Sequence, residues 1–119
     1  MHIPVRRSLR SDGTAVVEVR GEVDFTNADE VSQAIQAAVR EWHPRRVRVD
    51  LDHATFIDST GLGALISGYR TAVEEHVGYV IVNPSDAFRR VLSVTGLCEL
   101  FGLTAQKPAG GAHSSDIAI

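Results

Sequence analysis

The chain has 119 residues, of which 44% are hydrophobic and 23% charged, with a formal net charge of −3. That length and composition fit one domain with a real core, and they exclude wholesale disorder. The acidic balance argues against a nucleic-acid partner, no apolar run reaches the ~18–20 residues of a membrane helix, and the single cysteine, Cys98, excludes an internal disulfide or a Cys-rich zinc site.

Residues 3–9 and 15–20 read as two strands. Between them, Ser11-Asp12-Gly13-Thr14 is a turn signal, so a hairpin is expected. Gly21-Glu22-Val23-Asp24-Phe25 leads to a helix start with Thr26 as the expected N-cap and Asp29 three residues on. Val31, Ile35, Ala38, Val39 and Trp42 recur at helical spacing, and Pro44 ends the helix. Residues 47–51 form a third strand, followed by a loop holding Phe56 and Ile57. A second helix is expected from about Thr60 to Glu75. Its apolar stripe is Leu62, Leu65, Ile66, Tyr69, Ala72 and Val73, with Gly78 as its C-terminal glycine.

Tyr79-Val80-Ile81-Val82 is a continuous apolar strand, which predicts a central place in the sheet with both faces buried. Ser85 caps a third helix with Phe88, Val91 and Leu92 inside and Gly96 as its stop. Residues 97–103 form a short closing element. From Thr104 the chain is small and polar, and a mobile tail is expected. The order β-β-α-β-α-β-α favours parallel strands with right-handed crossovers. The loops after strands two, three and four then leave one edge of the sheet, where open α/β sheets place their sites. That edge gathers Glu22 and Asp24, Asp58 and Ser59, and Asn83 and Ser85.

The stretch Phe56-Ile57-Asp58-Ser59-Thr60-Gly61-Leu62-Gly63 carries the chemistry. Two hydroxyls sit at a helix start, with two glycines after them. A serine there has two readings. It caps the helix by accepting from a backbone N–H, or it carries a phosphoryl group, which the free N–H groups and dipole of a helix N-terminus tolerate. Thr60 is the competing hydroxyl, turned by about 100° from Ser59.

Gly21-Glu22-Val23-Asp24, residues 56–63, Asn83-Pro84-Ser85 and Val94-Thr95-Gly96-Leu97 together resemble the anti-sigma factor antagonists, single STAS domains of bacteria. The resemblance covers roughly residues 5–103, and Asp58-Ser59-Thr60-Gly61-Leu62-Gly63 is its specific part. It implies an α/β fold, a STAS-type domain over residues 1–103, with the expected tail over 104–119 left without a role. The sheet would be mixed, with four to five strands, packed with amphipathic helices. It also implies a switch. The unphosphorylated protein binds an anti-sigma factor that is itself an ATP-binding serine kinase, and so frees the sigma factor. Phosphorylation of the serine ends the binding, and a metal-dependent Ser/Thr phosphatase restores it.

By motif, the acceptor is Ser59. The partner-binding surface is expected at Asp24, Asp58, Thr60, Gly61, Leu62, Gly63 and Ser85. A phosphoryl group adds about −1.5 to −2 charges at pH 7, on a rim already carrying Glu22, Asp24 and Asp58, so a basic partner surface is expected. The competing reading within the family is a STAS scaffold subunit of a transporter-associated or stress-signalling complex, without a kinase cycle.

Other chemistries find little support. Ile57-Asp58-Ser59-Thr60-Gly61 lacks the first glycine of a nucleophile elbow, and Gly61, Gly63 and Gly68 miss the dinucleotide-binding spacing. His43, His53 and His76 lack ligand spacing and are expected at the surface. Trp42 and Tyr69 are expected in the core and Cys98 as a small hydrophobe. Arg89 and Arg90 are expected on a solvated face. No catalytic residue, cofactor or metal is expected. The N-terminal residues lack the apolar stretch of a signal peptide, so the expectation is a cytoplasmic protein. It is expected to be monomeric, because no long exposed apolar stripe remains once the core is assigned.

Overall fold

Residues alternate in the second strand between apolar and polar, and the alternation decides which face goes inward. Ala15, Val17 and Val19 are buried, as are Val47, Val49 and Leu51 beside them. A computed structural model describes residues 5–102. The expected tail, 104–119, lies outside the described residues. The elements are β1 (Val5–Leu9), β2 (Thr14–Val23), α1 (Ala28–Trp42), β3 (Arg46–Ile57), α2 (Ser59–Glu74), β4 (Gly78–Val82) and α3 (Asp86–Thr95). The order is the expected one.

The turn between β1 and β2 forms as its residues dictate: Asp12 Oδ1 accepts from the Thr14 N–H at 2.9 Å, and Gly13 takes a φ of 90°. The strands make one mixed sheet of four, in the order β1-β2-β3-β4. The first pair is antiparallel and the other two are parallel. Among the described residues no helix is long and apolar enough to cross a membrane.

Helix α1 buries Val31, Ile35, Ala38 and Val39, as its period requires. Its neighbour α2 buries Leu65 and Ala72 and comes very close to α1 at Gly68. A β-carbon on Gly68 would lie 2.6 Å from Ile35 Cγ2 and 3.1 Å from the Tyr79 hydroxyl. That hydroxyl donates to the Leu65 carbonyl at 2.8 Å, so β4 is tied to α2. Burial pushes the Tyr79 phenol far above its ordinary pKa, keeping it a neutral donor.

Several expectations need correction. Strand β4 is an edge strand, and only Ile81 in it is fully buried. Its apolar run is explained from the side: the Ile81 N–H donates to the Phe101 carbonyl at 2.9 Å, and Tyr69 packs edge to face on Tyr79 and Phe101, which meet each other at a tilt, with centroids 5.8–6.4 Å apart. Strand β3 runs on through Phe56 and Ile57, which were expected in a loop. Gly78 does not close α2. The left-handed residue after that helix is His76, and Gly78 opens β4, where a β-carbon would press on Arg46 Cβ at 3.3 Å.

Asn27, not Thr26, holds the N-cap position of α1, because the Thr26 hydroxyl donates to Asp24 instead. Val73 and Val91 lie on the flanks of their stripes and are exposed. Trp42 and Tyr69 pack against the core but stay half-buried. Trp42 carries the Arg7 guanidinium over its ring at 4.9 Å. Cys98 is buried, as a small hydrophobe would be.

Candidate functional site

The ends of β2 and β3 build the site. Strand β1 pairs with residues 15–19 of β2, and β4 pairs with residues 46–50 of β3. Beyond these, β2 and β3 continue as a two-stranded parallel ribbon to Val23 and Ile57. The register shifts twice along it, between Glu18 and Arg20 and between Gly21 and Glu22, and both times β3 passes one extra residue. Such bulges re-aim side chains. The result is that Ile57 packs against the core while Phe56 stands 56% exposed.

The ribbon hands over to α2 through one residue. The Asp58 N–H donates to the Val23 carbonyl at 3.1 Å, which sets Asp58 beside Asp24 at the two strand ends. The Asp58 side chain then caps α2: its Oδ1 accepts from the Gly61 N–H at 2.9 Å and from the Thr60 hydroxyl at 2.6 Å. Helix α2 therefore starts at Ser59, one residue earlier than expected. The two hydroxyls are no longer equivalent. Thr60 is bound to the cap, whereas the Ser59 hydroxyl is exposed and has no hydrogen-bond partner among the described residues. The capping reading of Ser59 falls, because Asp58 occupies that role.

The Thr60 hydroxyl, then the Gly61 N–H, hold the Asp58 carboxyl below the ordinary aspartate value. A depressed carboxylate stabilises the fold at every pH above its unfolded value, about 3.9. That contribution fades as the pH falls through the folded value. Asp58→Asn keeps an acceptor for Gly61 but does not titrate. Its stability curve is expected to fall less steeply than wild type below about pH 4 and to run parallel to it near pH 7. Urea unfolding at a series of pH values checks this. Part of the acid limb should survive in the variant, because Asp12 is also held low by its bonds to Thr14.

The loop before α1 is equally ordered by side chains. Asp24 Oδ1 accepts from the Thr26 N–H at 2.9 Å and from its hydroxyl at 2.5 Å. Asn27 accepts from the Asp24 N–H and donates to the Glu22 carbonyl. Asp24 and Asp58 thus stand together at the strand ends ahead of Ser59, with Glu22 two residues before Asp24 and paired with Phe56. After β4, Asn83 donates to Asp50 at 3.1 Å, and Ser85 caps α3 by accepting from the Phe88 N–H at 3.1 Å.

The remaining expected residues divide by burial. Gly61 is buried, and a β-carbon there would meet Ile57 Cγ2 at 2.7 Å and Val23 Cγ1 at 2.9 Å, so it seats α2 on the ribbon. Leu62 is half-buried against the core. Gly63 is exposed and lines a groove between α1 and α2 with Phe25, Asp29, Thr60 and Ser67. Ser85 lies on the other flank of the ribbon, in a groove with Thr55, Phe56, Ile57, Ala87 and Val91.

Four exposed apolar residues were not among the expected partner-binding residues: Phe25 (79% exposed), Phe56, Val91, which was expected inside, and Val94 (81% exposed). Large apolar side chains left out beside polar motifs are the signal. Phe25 follows Asp24, and Phe56 stands two residues before Asp58 in the chain, but only the fold shows that both are exposed. The premise behind the expected monomer is removed with them, since the described residues do expose apolar surface.

Comparison with known proteins agrees with this fold. The STAS domain family model matches residues 7–109. An anti-sigma-B factor antagonist of Listeria monocytogenes is 28% identical over 101 residues, which span 84% of this chain and 87% of that protein. The crystal structure of an anti-sigma factor antagonist from Mycobacterium paratuberculosis superposes with a TM-score of 0.71 at 34% identity, over 83% of this chain and 84% of the other. The Bacillus cell fate determinant SpoIIAA in its phosphorylated form shares the fold, with a TM-score of 0.65 at 22% identity over 78% of this chain and 84% of that one.

Proposed function

The chain belongs to the STAS domain family, and from that premise we propose that it is an anti-sigma factor antagonist switched by phosphorylation of Ser59. One observation carries the reading. At the start of α2, Asp58 takes the cap and Thr60 is bound to it, which leaves Ser59 as the exposed hydroxyl without a partner among the described residues. The names of the relatives in Listeria and Mycobacterium support the antagonist role.

Unphosphorylated, the surface around Ser59 binds an anti-sigma factor that is an ATP-dependent serine kinase, and the sigma factor is released. The kinase transfers a phosphoryl group from ATP to the Ser59 oxygen, and a Ser/Thr phosphatase removes it. The domain acts by binding in the cytoplasm and is the substrate of both enzymes. Adding about −1.5 to −2 charges beside Asp58 and Asp24 crowds like charges together and leaves a bulky dianion to be desolvated in the interface without a cation placed to pair with it. The fold itself has little to lose, because Ser59 is exposed and the helix N-terminus partly offsets the new charge.

A pull-down from native lysate with wild type, Ser59→Ala and Ser59→Asp, read by mass spectrometry, tests the reading. An ATP-binding serine kinase captured by wild type and Ser59→Ala but not by Ser59→Asp is the expected result. Three baits that capture the same transport or scaffold proteins would establish the scaffold reading instead.

A further inference from the structure

Of the three glycines in α2, the fold needs two. Gly61 lets the helix rest on Val23 and Ile57, and Gly68 lets it approach Ile35. Gly63 has no such duty. A β-carbon added there would meet nothing within 4 Å, and its backbone is helical. A glycine inside a helix is less favourable than alanine, because it gives up more backbone freedom on folding. The domain thus keeps a destabilising residue on an exposed position about one turn after Ser59.

Gly63 lines a groove of about 320 Å³ between α1 and α2. Phe25, Asp29 and Thr60 stand at its end near the helix starts, and Ser32, Ala64 and Ser67 line it further along. Ser59, Gly63 and Ser67 follow one another at four-residue intervals on one flank of α2.

The two serines are set to give hydrogen bonds. Arg40 donates to Gln36 Oε1 at 3.4 Å, and Gln36 Nε2 donates to Ser32 Oγ at 2.8 Å and to Ser67 Oγ at 3.3 Å. Each hydroxyl accepts from the amide and keeps its own hydrogen. Neither donates to any group among the described residues. Ser32 is only 8% exposed, so an unmatched donor is buried in the wall of the groove, a costly arrangement in the free protein.

With the functional reading above as its basis, we propose that the groove between α1 and α2 is the seat of a main-chain segment of the anti-sigma factor. The segment comes down on the bare backbone at Gly63, where a β-carbon would hold it off, and its carbonyl oxygens accept from Ser32 and Ser67. Two observations favour that occupant. The groove opens on the turn that carries Ser59, so a protein that reaches the Ser59 oxygen covers its near end. Its free donors are matched by main-chain carbonyls, and a segment lying on a helix needs the close approach that glycine allows.

The test titrates the purified anti-sigma factor identified by the pull-down into full-length variants, by isothermal titration calorimetry, with a thermal melt of each. Gly63→Ala is expected to raise the melting temperature by about 3–6 °C and to weaken binding at least tenfold. Those opposite signs separate a contact with the partner from damage to the fold. Ser67→Ala, two turns from Ser59, is expected to weaken binding about three- to tenfold through the lost hydrogen bond. A Gly63→Ala variant that melts lower than wild type means that the fold needs this glycine after all, which overturns the proposal. Wild-type affinity in Gly63→Ala, with Ser59→Asp still non-binding, overturns it and leaves the functional reading standing. Wild-type affinity in Ser67→Ala means that the partner stops at the first turn, and this also overturns it. A wild-type protein that sediments as a dimer and a Gly63→Ala variant that sediments as a monomer would give the groove to a second copy of this chain instead. If wild type binds no anti-sigma factor, the functional reading fails, and this inference with it.

Discussion

Ser59→Asp is expected to weaken binding of the anti-sigma factor by about 100-fold or more while shifting the melting temperature by no more than a few degrees. Such a loss corresponds to roughly 3 kcal/mol. The charge enters at the first turn of α2, next to the carboxylate that caps the helix and close to Asp24 across the strand ends. In an interface these groups must be desolvated together, and the added carboxylate is repelled by its acidic neighbours and left buried without a cation placed to pair with it. In the free protein the same charge faces water and the positive end of a helix, where its effect is worth about 0.3–1 kcal/mol in the stabilising direction. Binding and stability should therefore separate. Calorimetric titration alongside thermal melts checks both at once. Ser59→Ala should bind like wild type, because the hydroxyl supports no contact within the described fold. Thr60→Ala should differ from both. It removes a bond to Asp58 and is expected to loosen the first turn of α2 without adding charge.

The largest effect on the fold is expected from Gly68→Ala. Alanine is the better helix former by about 1 kcal/mol, so the substitution would stabilise an isolated helix. Here the added methyl would lie 2.6 Å from Ile35 Cγ2, far inside van der Waals contact. Ile35 is fully buried and cannot swing away, and the Tyr79 hydroxyl closes the other side while holding the Leu65 carbonyl. Helices α1 and α2 must separate, and overpacking of this kind costs typically 1–3 kcal/mol. A melting temperature lower by roughly 5–15 °C is the expected result. The contact also predicts its own rescue. Ile35→Ala alone should cost about 2–5 kcal/mol through the cavity it leaves. Combined with Gly68→Ala, part of that cavity is filled, so the double variant should be more stable than the sum of the two losses by ~1 kcal/mol or more. Strict additivity would mean that the two residues do not share this space.

Legibility from the sequence followed the strength of the local signal. The order of elements, the hairpin turn and the inner faces of α1 and α3 at Phe88 and Leu92 could be read directly, because period and turn chemistry decide them. The place of β4 could not. A continuous apolar run reports burial without saying what supplies it. Here the cover on the open side comes from Phe101, about twenty residues on. The length of β3 was hidden for a related reason. Two bulges break the alternation after Asp50, so residues 52–57 lose the period that would mark a strand.

At the site, the motif located the right turn of the right helix. The division of labour within it depended on which oxygen reaches which N–H. Aspartate and serine are both good caps, and the structure assigns that part to Asp58. Gly61 shows the same limit: its use is to let α2 rest on Val23 and Ile57, which no spacing in the chain announces.

The two-stranded ribbon has a consequence for local opening. Within the sheet, residues 47–50 of β3 have a strand on either side, whereas residues 53–57 have β2 alone. Fewer neighbours mean a smaller free energy to break the ladder there than in the sheet proper. Backbone amides of residues 53–57 should accordingly exchange with deuterated solvent well before those of residues 47–50, without the whole domain unfolding. The surface that carries Phe56, Asp58 and Ser59 is thus mounted on a less protected part of β3 than the stretch between β2 and β4. It can adjust to a partner by yielding over a few residues, while the hydrophobic layer beneath α1 and α2 keeps its protection.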